Sequence, residues 1–239
     1  MIGALKSDLI KFKKTWILPL VFLGPIGVVS LTGVHYAVSF EEMFHTGVNN
    51  WPYLIQNINF LLIPALILGL TLIASLMTGM EHQGNTWKQL LAMPVPRVKI
   101  YASKFIWLIV YLVISSALAF VGTIILGFLL GFHGNIPWRA VVQEGFAPYL
   151  AAYALMAVQL LLSVLVSNQS LAISVGIVGV IVSFANVVTH LIPKWVPWIY
   201  PGSAAPYTGS AGHYITLSIV VCFLLLYCGT YFFAKHQVK

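Results

Sequence analysis

Glu41 and Glu42, with His45 three residues on, form the densest run of side chains able to do acid–base chemistry. Adjacent carboxylates can activate a water for intramembrane proteolysis. That chemistry needs an arginine a few residues further, and Thr46 stands where it should be. The same three residues fit one helical face, and His133, His190 and His213 fall on the same side of a membrane. A zinc site needs three or four converging ligands, and no ligand spacing accompanies these histidines. Interfacial histidines are the expectation, and metal ligands are not. Cys222 and Cys228 lie on different faces of one apolar run, where a disulfide between them does not fit a helix. No phosphate-binding Gly-x-x-x-x-Gly-Lys-Ser/Thr occurs, and around Lys14-Thr15 the required glycines are missing. His-Glu-x-x-His and Gly-x-Ser-x-Gly are absent too. The chain is expected to be no enzyme and to hold no nucleotide or metal of its own.

Chemistry is scarce because the elements are apolar. The 239 residues are 60% hydrophobic and 7% charged, with a mean hydropathy of +0.95, whereas a soluble domain carries about a quarter charged residues. The apolar residues fall into continuous runs of about 20, enough to cross about 30 Å of hydrocarbon as helices. Continuity, rather than alternation, excludes a membrane β-barrel. The pattern predicts one all-α polytopic domain over 1–239, with spans at 16–36, 55–79, 105–131, 149–166, 171–191 and 214–233. Each span reads as free of formal charge. Ion-driven transporters keep an acid, His or Arg within the membrane. None is expected here, so uphill transport must draw its energy from elsewhere.

The net charge of +7 is arranged around the spans and not as a nucleic-acid patch. With the N-terminus in the cytoplasm, the inner segments hold Lys6, Lys11, Lys13, Lys14, Lys88, Arg97, Lys99, Lys104, Lys235 and Lys239. The outer segments hold only Arg139 and Lys194, together with Glu41, Glu42 and Glu144. This bias places both termini in the cytoplasm. Residues 2–15 read as an amphipathic interfacial helix, with Ile2, Leu5, Leu9, Phe12 and Trp16 on one face and lysines reaching anionic headgroups. A cleaved signal peptide is disfavoured by the long apolar run and the lack of a small-x-small site. Pro25 and Pro64 are expected to bend the first two spans. Gly127 and Gly131 form a small-xxx-small pair, read either as a helix-packing face or as ordinary membrane glycine.

One connection breaks the apolar pattern. In residues 81–104, Thr86-Trp-Lys-Gln is a capping box that starts a helix presenting Trp87, Leu90 and Leu91, which stops before Pro94. Pro96 suits the first turn of the next helix. A helix of two turns is unstable alone in water, so its apolar face must dock on a partner or rest on the bilayer. The run Glu81…Gly84-x-Thr86-Trp87-Lys88-x-Leu90-Leu91-x-x-Pro94-Val95-x-Arg97-x-x-Ile100-Tyr101-x-x-Lys104 resembles the signature of ABC-2-type permeases. It is similar to the permease subunits of bacteriocin and lantibiotic self-protection exporters in Gram-positive bacteria. The resemblance implies a subunit of the bacterial cytoplasmic membrane, paired with a second permease, identical or related. Each is driven by a separately encoded ATPase that binds the ATP and Mg. It implies that Glu81, Gly84, Thr86, Trp87, Lys88, Leu90, Leu91 and Pro94 form the coupling element. Arg97 and Lys104 then contact either the ATPase or lipid headgroups.

The resemblance also implies an extracellular re-entrant segment between the last two spans, and residues 191–213 carry four prolines and several aromatics there. Pro193, Trp195, Pro197, Trp198 and Tyr200 would close the outer mouth, or serve as an ordinary aromatic belt. The function implied is export of an antimicrobial peptide or another amphipathic or hydrophobic compound. The alternative is a stand-alone membrane immunity protein that binds its ligand without an ATPase.

Overall fold

The protein is described by a computed structural model covering residues 2–12, 15–39, 48–83, 97–132, 134–166 and 168–235. Among these residues every regular element is helical: α1 (Ile2–Phe12), α2 (Ile17–Val38), α3 (Trp51–Gln83), α4 (Arg97–Leu129), α5 (Trp138–Ala151), α6 (Tyr153–Leu165), α7 (Gln169–Thr189), a 3-10 turn (Pro197–Ile199), α8 (Tyr200–Ser203) and α9 (Ala211–Lys235). Six helices are long and apolar enough to cross a membrane, with α5 and α6 together making the fourth. Helix α2 packs on α3 and α4, α7 on α3, and α9 on α5 and α6. Buried Leu, Ile, Tyr and Trp side chains fill the core between them. The chain is a multi-pass membrane protein.

Pro25 and Pro64 sit inside α2 and α3, which continue through them. Helices α3 and α4 have 33 residues each, about 50 Å at 1.5 Å per residue, against about 30 Å of hydrocarbon. Their ends therefore overhang the apolar layer and carry the polar residues described below. Gly131, at φ 71°, ends α4 as a left-handed cap, with Phe132 N–H donating to the Gly127 carbonyl at 3.2 Å. The Trp51 ring lies over Gly127, where a side chain on that residue would stand. The two glycines thus do different jobs, one as a seat for a ring and one as a helix stop.

The fourth span departs from expectation. It begins at Trp138 rather than 149, so Arg139 and Glu144 belong to the span and not to an outer loop. Glu144 is fully buried, which overturns the expectation that no acid lies within the spans. The reason is enclosure: 67% of its most apolar 18-residue stretch is buried inside the protein, against 11–50% for the other five spans. Glu144 faces neighbouring helices, whereas Arg139, at the start of α5, is exposed. The break between α5 and α6 is held by Ser218 of α9, whose hydroxyl donates to the Ala151 carbonyl at 2.8 Å and accepts from the Ala154 N–H at 2.9 Å. The two groups released at the break are thereby satisfied.

Candidate functional site

Two polar regions stand at opposite ends of the bundle. The first joins α1 to the facing ends of α3 and α4. Lys104, fully buried near the start of α4, sets its ammonium 2.8 Å from the Glu81 carboxylate at the end of α3, itself 2% exposed. Lys11 of α1 approaches the other carboxylate oxygen at 3.5 Å. The Lys104 ammonium also donates to the Met77 carbonyl at 3.4 Å and lies 6.0 Å from the Phe12 ring centroid. Asp8, on the same face of α1, accepts from the Ser103 hydroxyl at 2.7 Å. The Trp107 indole donates to the Leu5 carbonyl at 3.2 Å, and its ring meets Phe12 edge-on.

Asp8, Lys11, Glu81 and Lys104 together carry two negative and two positive charges, so the cluster is neutral while mostly buried. That balance is what allows it, because an uncompensated charge in such surroundings costs several kcal/mol. Three chain segments are clamped here: α1 and the two helices that flank residues 84–96. The face of α1 that packs inward carries Asp8 and Phe12, while Ile10 is 64% exposed and Trp16 is 77% exposed. Helix α1 therefore seats itself by polar contacts as well as apolar ones.

Of the expected coupling residues, Gly84, Thr86, Trp87, Lys88, Leu90, Leu91 and Pro94 lie outside the described residues, as do Glu41, Glu42, His45 and His133. Arg97 is the first residue of α4. Glu81 and Lys104 are brought together and face inward. The sequence reading missed Asp8, although Leu5, Asp8, Leu9 and Phe12 share the i, i+3, i+4, i+7 face of a helix and an acid there signals a polar partner.

At the opposite end, residues 190–210 turn back through the 3-10 turn and α8. Tyr200 is fully buried, meets the tilted ring of Tyr214 with centroids 5.8 Å apart, and joins Ile199 and Ala204 in an apolar cluster with Ala147, Ala151 and Ala154. The Trp198 ring occupies the space beside Gly179 that a side chain there would fill. Gln143 of α5 donates to the Ala204 and Ala205 carbonyls at 3.4 and 3.2 Å. Of the expected gate residues, Trp198, Ile199's neighbour Tyr200 and Pro197 pack against the bundle, whereas Pro193 and Trp195 face outward. Between α3, α7 and this segment lies a cavity of about 190 Å³. Phe60 and Phe184 meet edge-on at its rim, with centroids 5.6 Å apart. Gln56, Asn59 and Ser183 supply polar atoms. Asn59 is 7% exposed; its amide donates to the Ile55 carbonyl, and its side-chain oxygen has no partner among the described residues. The cavity lining is mainly apolar.

Residues 4–186 match the model of the ABC-2 family transporter proteins. Over 84 residues the chain is 31% identical to the bacitracin transport permease protein BCRB of Bacillus licheniformis, a stretch that spans 35% of this chain and 39% of that relative. The match to the relative thus covers well under half of either protein, whereas the family match takes in α1 to α6 and most of α7. On that match, the chain belongs to the ABC-2 transporter family.

Proposed function

We propose that the chain is the membrane-spanning permease subunit of an ATP-driven exporter that carries an antimicrobial peptide or another amphipathic compound out of the cell or the membrane. A separate ATPase binds and hydrolyses ATP, and two permease subunits, identical or related, form the pathway. The observation that carries this reading is the neutral ionic clamp at Glu81. It ties α1 to both helices flanking residues 84–96, so a push on that connection reaches three helices as one body. The end that bears the clamp is then the cytoplasmic end, in keeping with the distribution of lysines. At the other end, the stretch from Pro197 to Tyr200 acts as the outer gate, and the cavity at Asn59 receives part of the cargo.

Replacing Trp87 and Leu91 together by Ala tests the reading. The expected result is loss of ATPase association and of transport, with membrane expression nearly unchanged. Full transport by the double variant would remove residues 84–96 from the coupling path.

A further inference from the structure

Glu144 has no part in the ionic clamp or in the cavity. It lies six residues into α5, about 9 Å along the helix from Trp138. Its side chain is fully buried, in the most enclosed of the six spans. Beside it Gly145 abuts Phe120 of α4 so closely that a side chain at 145 would collide with it, so α5 and α4 are in close contact here. Both carboxyl oxygens lie 3.1–3.2 Å from one hydroxyl, Thr123 Oγ1. That hydroxyl is also 2.9 Å from the Ala119 carbonyl, in the geometry of a donated bond. A hydroxyl has one proton to give. All three contacts have the geometry of a bond donated by Thr123; with its one proton on Ala119, the shortest of them, Thr123 accepts from a protonated Glu144.

No ion pair among the described residues includes Glu144; Lys11–Glu81 and Lys104–Glu81 lie at the other end of the bundle. Titratable groups are Arg139 and Tyr149 on α5 itself and, on the elements packed against it, Tyr53, Glu81 and His82 on α3, Tyr153 on α6, Tyr200 on α8, and His213, Tyr214, Cys222, Tyr227, Cys228, Tyr231 and Lys235 on α9. Those of α4, namely Arg97, Lys99, Tyr101, Lys104 and Tyr111, precede Thr123 by twelve residues or more. Among the described side chains none of these forms a hydrogen bond or ion pair with Glu144. A carboxylate held in a membrane span by one shared hydroxyl is poorly compensated, whereas a neutral acid there is a satisfied donor.

We propose that Glu144 is a positioning residue. It keeps its proton and donates it to Thr123, clipping α5 to α4 so that the adjacent Gln143 holds the 204–205 backbone of the outer segment. Helix α4 bears Lys104 at one end and Thr123 toward the other, so the clip joins the ionic clamp to the outer segment through a single rigid helix.

The test is infrared difference spectroscopy of the purified protein in lipid at neutral pH, wild type minus Glu144→Gln. The expected result is one protonated-carboxyl C=O band in the wild type that the variant lacks. Thr123→Val should move that band to higher frequency without abolishing it. A carboxylate band in its place overturns the proposal, as does a band that Thr123→Val leaves unmoved. These spectra read the proton whatever the chain transports. Transport assays, which rest on the exporter reading, provide the second arm. Glu144→Gln, which can still donate, should transport at neutral pH and keep doing so at an alkaline pH where wild type fails, and Glu144→Ala should lose most transport at either. Wild-type transport by Glu144→Ala, or identical alkaline limits for wild type and Glu144→Gln, overturns the positioning role.

Discussion

Replacing Lys104 by Met removes the cation closest to Glu81 and leaves a carboxylate that is 2% exposed. Breaking a buried ion pair by deleting one partner costs about 3–5 kcal/mol. Lys11 remains 3.5 Å away, but its side chain is 34% exposed, so its attraction is screened and returns only about 0–1 kcal/mol. The expected net loss is about 2–5 kcal/mol, a fall of about 30- to 4000-fold in the folded-to-unfolded ratio at 1.4 kcal/mol per decade. Removing both partners, as Lys104→Met with Glu81→Leu, takes away the stranded charge and should bring stability back to within about 1 kcal/mol of wild type. The assay is a denaturant titration of the four proteins in the same lipid discs, read as a double-mutant cycle. A single Lys104→Met variant within about 0.5 kcal/mol of wild type, or a double variant as unstable as the sum of the singles, would refute the clamp.

Three further outcomes follow from the same geometry. Gly179→Val puts a side chain where the Trp198 ring lies; the overpacking should cost about 1–3 kcal/mol and lower the melting temperature, and fluorescence of Trp198 in a background lacking the other tryptophans should report its displacement. Asp8→Ala removes the charged acceptor of the Ser103 hydroxyl and should cost about 1.5–3 kcal/mol, seen as faster proteolysis of the N-terminal helix. Asn59→Leu removes a buried oxygen that lacks a partner among the described residues; stability should be unchanged or higher, while the resistance conferred on cells falls, and a variant with full resistance would remove the cavity from the cargo path.

The architecture was legible in sequence wherever apolar runs were continuous. Spans α2, α3, α4, α7 and α9 lie where those runs placed them, because about 20 uninterrupted apolar residues have few alternatives in a membrane. The fourth span was cut short because Arg139, Gln143 and Glu144 count as charged or polar on any scale that refers to lipid. Arg139 is exposed at the start of α5, but Gln143 and Glu144 lie against protein, and enclosure by α4, α8 and α9 is a tertiary fact with no local signature. Glu81 and Lys104 stood out as residues of the polar connection, yet their pairing across the 84–96 connection was not readable, since a charge does not announce its partner. The seats of Trp51 on Gly127 and of Trp198 on Gly179 were hidden for the same reason. Asp8 was the recoverable case, an acid on the face that otherwise packs.

If a separate ATPase drives this membrane subunit, a gentle-detergent pull-down of the tagged chain from its native membrane, with the companions identified by mass, should recover it. A soluble ATPase is expected in stoichiometric amount, with a second, different permease present only when the pair is a heterodimer. Recovery of the chain without an ATPase, under conditions that hold a known ATPase–permease complex together, would contradict the account and favour a stand-alone membrane immunity protein.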